Sequence, residues 1–129
     1  MNREETIKLA EEWLKSVPDI KKNIRIIDAE LKKDIYDIED IEKLKNTRNR
    51  LHRKLGKIIK AVSTLNDEEQ RIICYRYFDK FSYKIISINV GYSLRTIARR
   101  LESSKLTIGR IMFGFEDEFF REIDQYSIH

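Results

Sequence analysis

The chain has 129 residues, a length that suits one domain with a buried core. Charged residues make up 37% of it and hydrophobic ones 41%, which excludes a disordered segment and, with no apolar run of spanning length, a membrane helix. A net charge of +4, an acidic N-terminus unlike a targeting peptide and a single cysteine, Cys74, predict a cytoplasmic protein without internal disulfides and with a mild bias toward polyanions.

One proline and four glycines are few breakers for this length. Lys, Glu and Ile recur at three-to-four spacing and no alternating pattern appears, so the expectation is an all-α protein. A first amphipathic helix is expected over residues 3–15, carrying Ile7, Leu9, Trp13 and Leu14. The stretch "SVPD" should end it, because Pro18 cannot donate an interior helix hydrogen bond.

From Ile20 an apolar ladder runs through Ile24, Ile27, Leu31, Ile35, Ile38, Ile41 and Leu44. A second runs through Leu51, Leu55, Ile58, Ile59 and Val62. One long helix or a hairpin turning near residues 45–49 would satisfy both, and two helices is the preferred reading. Seven acids fall within residues 28–42, and eight cations with no acid within residues 43–60. Two arrangements fit this asymmetry. The acidic stretch packs antiparallel on the basic one, within a chain or across a dimer, with charge setting the register. Alternatively the basic stretch rests on phosphates.

Next, Asn66 reads as an N-cap with Glu69 placed to complete a capping box, ahead of Ile72, Ile73, Tyr75 and Phe78. "DKFS" is a turn, and Ser82 should cap a short helix over residues 83–89. Gly91 supplies the left-handed residue of a tight turn, flanked by Val90 and Tyr92. Ser93 caps the following helix, and Ile86 and Ile97 are placed to meet between the two helices. Ser87 stands where a small residue is wanted, and its hydroxyl needs a partner such as a carbonyl one turn back.

On a helical wheel Leu94, Ile97, Leu101, Ser104, Ile108 and Ile111 share one face of that helix. Arg95, Arg99 and Arg110 lie opposite, with Thr96 and Ser103 to one side. A helix backed by a core and opening on exposed arginines is what major-groove reading needs. Gly114 should end it. Phe115, Phe119, Phe120, Ile123 and Tyr126 then form an aromatic stripe on a final helix, which either folds back over Leu106 or joins it in a subunit interface.

The segment "LNDEEQRIICYRYFDKFSYKIISINVGYSLRTIARRLESSKLTI", residues 65–108, resembles the region-four DNA-binding domain of bacterial sigma factors. With its charged helical N-terminal half, the chain is similar to small phage regulators of the ArpU and RinA type. The resemblance implies a sigma-like helix-turn-helix, late-gene transcription control in phages of Gram-positive bacteria, and DNA contacts at Ser93, Arg95, Thr96 and Arg99. Features of sigma region two are not visible. Lys84, Arg100, Ser103 and Lys105 complete the candidate DNA-binding set.

The expected organisation is a helical arm over residues 1–62, a candidate coiled-coil dimerisation region, and a DNA-binding region with a C-terminal helix over residues 63–129. The partners expected are double-stranded DNA, a second copy of the chain and RNA polymerase, with no membrane. Rival readings are a small-terminase-like DNA-packaging subunit and a protein module that binds polymerase or sigma. Arg76 is expected to pair with a nearby acid and lay its stem on aromatic rings, and Cys74 to pack as a small hydrophobe. His52 and His129 show no metal-ligand spacing, and the acids of "YDIEDIE" read as a solvated face. No nucleophile–base pair and no phosphate loop is present, so neither an enzyme nor a cofactor is expected.

Overall fold

Helix α1 spans Arg3–Leu31 in the computed structural model of the chain, which describes residues 1–127 and side chains as far as Asp124. Asn2 caps it: its side chain accepts from the Glu5 N–H at 2.8 Å, and the Glu5 carboxylate accepts back from the Asn2 N–H. The expected break at Pro18 does not occur, and α1 continues past it for more than three turns. Thr6, Ala10, Leu14, Val17, Ile20, Ile24 and Ile27 are all buried at three-to-four spacing. That unbroken buried stripe, on both sides of Pro18, outweighs the single hydrogen bond and the ring clash that proline costs.

The chain then reverses over residues 32–37, and α2 (Ile38–Ser63) returns along α1. The hairpin expectation holds, but its turn lies about ten residues earlier than the expected one. Asp37 decides the place, since its side chain caps α2 by accepting from the Asp40 N–H at 2.8 Å. Residues 45–49 are ordinary helix.

Asn66 caps α3 (Asp67–Ile73), accepting from the Glu69 N–H at 2.8 Å. Glu69 returns to the cap's side-chain amide at 2.7 Å instead of its backbone. The helix widens into one π-type turn over Cys74–Phe78. A turn follows in which Lys80 takes a left-handed conformation. Ser82 caps α4 (Tyr83–Val90), and α5 (Leu94–Phe113) and α6 (Asp117–Ser127) complete an all-α fold among the described residues. The side chain of Tyr126 and residue His129 lie outside the described residues.

One apolar core joins both halves of the chain. Ala10, Leu14 and Val17 of α1, Ile58 and Ala61 of α2, Ile72 and Ile73 of α3, Ile86 of α4 and Ile97, Leu101 and Ile108 of α5 are all essentially inaccessible. Burying a side chain of this kind stabilises by roughly 1.5–3 kcal/mol. Helices α1 and α5 come close together at Gly109, where a Cβ would stand 2.8 Å from the Thr6 carbonyl oxygen. Only a glycine lets α1 and α5 pack this tightly.

Candidate nucleic-acid interface

Two short-range features build the turn between α4 and α5. Gly91 takes φ +79°, with no neighbour that a side chain would strike, so the backbone conformation alone asks for glycine. The Ser93 hydroxyl accepts from the Thr96 N–H at 3.2 Å and starts α5. Ser87 donates to the carbonyl of Tyr92, forward across the turn and not one turn back as expected. Ile86 and Ile97 are both fully buried, so the two helices are held from behind.

A carboxylate that the sequence reading left unassigned fixes the far side of the turn. Glu68, in the first turn of α3, accepts from the Tyr92 hydroxyl at 2.8 Å and from Arg100. The Arg100 guanidinium also lies 4.5 Å from the centre of the Tyr92 ring. The hydrogen bond to Glu68 pushes the Tyr92 phenol above its usual pKa. Three elements are therefore tied at one carboxylate, and the direction in which α5 leaves the turn is set there.

The eight candidate residues divide. Ser93, Arg95 and Arg99 are exposed at the start of α5, and Lys84 is exposed on α4. Thr96 is half-buried, and its hydroxyl accepts from that of Ser93 at 3.0 Å. Ser103 is exposed ten residues further along α5, lining a hollow with Arg3, Ile7, Arg99, Glu102 and Leu106. Arg100 is engaged by Glu68 and Tyr92, so it works as a brace. Lys105 is corrected outright: it is only 8% exposed, lies 3.6 Å from Glu11 and faces the Tyr77 ring. Its place on the wheel, beside the Leu101 stripe, already pointed to the side that α1 covers.

The network around Lys105 joins α1, the π-type turn and α5. The Tyr77 hydroxyl donates to Glu11 at 3.2 Å. Burial pushes the Glu11 carboxyl up, but Lys105, Lys15 and the Tyr77 hydroxyl together bring it below its usual value. Burial and then the Glu11 charge push the Tyr77 phenol well up.

The stripe along α5 is buried only in its middle, for Leu94 and Ile111 at its ends are exposed. Arg110 is not a free cation opposite that stripe. It makes a bidentate pair with buried Glu116, with Nε 3.1 Å from each carboxylate oxygen. Arg76 finds no acid among the described residues; it donates to the Phe81 carbonyl at 3.1 Å and lies over the Tyr83 ring. Cys74 is half-buried, and burial raises its thiol pKa.

Sequence reasoning did not foresee the exposure of three apolar residues on α4 and at the start of α5: Ile85, Ile88 and Leu94 are 45%, 74% and 52% exposed. Hydropathy alone would have buried them.

Arg95 and Arg99 emerge from this geometry as exposed cations, unpaired among the described residues, on a helix braced from behind. Compared with family models, with curated proteins and with solved structures, the chain matches none of them.

Proposed function

We propose that this chain is a sequence-specific double-stranded DNA-binding transcriptional regulator of a phage or prophage, working as a homodimer in the bacterial cytoplasm. The α4–Gly91–α5 unit is its helix-turn-helix, and the first turns of α5 enter the major groove.

One observation carries the reading. Helix α5 holds five cations, and three of them, Arg100, Lys105 and Arg110, are paired with Glu68, Glu11 and Glu116. Arg95 and Arg99 alone have no acid partner among the described residues, and both lie at the helix start. Guanidinium groups in that position can grip guanine edges in a bidentate fork, at roughly 1–3 kcal/mol of discrimination per good pair. Ser93 and Lys84 are placed for phosphates.

Selection of bound sequences from a random duplex pool tests the proposal, and a palindromic consensus is expected. Arg95→Ala should relax preference at one position of the site by about 10-fold or more while leaving random-duplex binding largely intact. Equal losses on selected and random duplexes would defeat the assignment.

The exposure of Ile85, Ile88 and Leu94 favours a second reading, a module that binds polymerase or another protein through apolar contacts. The two readings separate in a gel shift at two salt concentrations. Phosphate neutralisation falls steeply with salt, whereas an apolar protein contact does not.

A further inference from the structure

Helix α2 presents a row of cations that the α5 site does not use. Arg50, Arg53, Lys57 and Lys60 follow each other at three-to-four spacing along α2, and all are exposed. At 1.5 Å per residue the row is about 15 Å long. None of the four has an ion-pair partner among the described residues.

Four of the seven acids that the sequence offered as partners are committed elsewhere. Asp28 reaches Arg48 at 3.3 Å, Glu30 pairs with Lys33, Glu39 pairs with Lys43, and Asp37 caps α2. The turn at residues 32–37 puts Glu39, Asp40 and Glu42 on the same helix as the cations, at its opposite end, so the hairpin cannot neutralise the row. Like charges three and four apart destabilise a helix, and no acid among the described residues pairs with them.

We infer that this row is a second phosphate-binding surface, which lies along the backbone of duplex DNA and adds to the contact made by α5. This inference rests on the reading of the chain as a duplex-binding protein. A duplex carries one negative charge per about 1.7 Å of axis, so a straight row of this length faces a continuous line of phosphates. Asn46, Asn49, His52, Gly56 and Ile59 flank the row and are exposed. Amide and imidazole donors suit phosphate and sugar oxygens, and one exposed apolar side chain, Ile59, is too little for a lipid-facing stripe. The row ends at a hollow of about 250 Å³ lined by Lys57, Lys60, Ala61, Ile111 and Met112, near the far end of α5 from Arg95. The two contacts are therefore separate, and the row carries affinity without sequence preference.

The test compares the wild type with a quadruple variant, Arg50→Gln, Arg53→Gln, Lys57→Gln and Lys60→Gln, on a selected and a random duplex across salt. Glutamine is a good helix former, so circular dichroism should show α2 intact. Loss of four phosphate contacts should lower the slope of log affinity against log salt by about 3–4. The affinity lost between about 50 and 200 mM salt should then shrink roughly 100-fold, with the ratio of selected to random binding unchanged. Lys57→Arg with Lys60→Arg should keep the wild-type slope.

An unchanged slope in the folded quadruple variant overturns this inference and leaves the α5 reading standing. An unchanged slope with a lower solution mass shows that the row meets a second copy instead, and overturns it as well. A wild type that binds no duplex at about 50 mM salt overturns both readings together.

Discussion

Glu68 shows how much of the proposed interface depends on a residue that touches no ligand. Its carboxylate accepts from Tyr92 in the turn and from Arg100 on α5, so it fixes the angle at which Arg95 and Arg99 are offered. Both partners are part-exposed, which keeps the energy modest. Glu68→Ala should cost about 1–2 kcal/mol, read as a drop of roughly 3–6 °C in the thermal midpoint. It also frees Arg100 and removes a negative charge from the face. Random-duplex affinity should therefore rise while selected-duplex affinity falls. Equal movement of the two would show that the brace has no part in orienting α5. The local chemistry here was half legible. Gly91, Ser93 and the Asn66 cap were readable because each acts within four residues of itself. Glu68 acts across 24 residues to Tyr92 and 32 to Arg100, and nothing in one sequence announces such a pair.

At the scale of elements, α6 is fastened by charge more than by packing. Glu116 is buried just before it, paired with Arg110 of α5 and 3.7 Å from Arg3 of α1, while Arg3 also holds Glu122 of α6 at 3.0 Å. Phe115, Phe119 and Phe120 pack mainly on each other, and Arg110 lies over the Phe119 ring. The hydrogen bond from Arg110 holds the Glu116 carboxyl down to about 2 against the outward push of burial. Because its folded pKa lies below its unfolded one, Glu116 contributes stability above the usual carboxylate range, and that contribution is lost as pH falls from about 4.5 toward about 2. Limited proteolysis should release α6 more readily across that window in the wild type, and Glu116→Gln should show the fast cleavage at neutral pH with little further pH dependence. The existence of this helix was readable from its aromatic stripe, but its anchoring was not. The other element-level errors have the same root. Pro18 looked like a stop because the stripe that overrides it appears only when α2 and α5 cover α1. The turn at residues 32–37 has no glycine or proline, and Asp37 is one acid among many. Lys105 looked available because its partner, Glu11, sits on a helix 94 residues away.

For the whole molecule, the apolar surface left exposed bears on how many copies act together. No helix among the described residues is long and apolar enough to cross a membrane. Four of the exposed apolar side chains, Ile111, Phe115, Phe120 and Ile123, fall between the end of α5 and α6. A face of that kind suits contact between copies, which leaves the arginines free. Under the proposed function two α5 helices should then meet a duplex about one helical turn, or 34–36 Å, apart. Light scattering should give a particle of two 15.5 kDa chains at micromolar concentration. Phe120→Glu should convert it to single chains, and should weaken binding to a palindromic duplex far more than to a single half-site, because only the former gains from linking two modules. Eight or more copies would fit a ring-forming packaging subunit instead. A dimer that survives Phe120→Glu would move the interface off α6, with the α1–α2 hairpin as the next surface to alter.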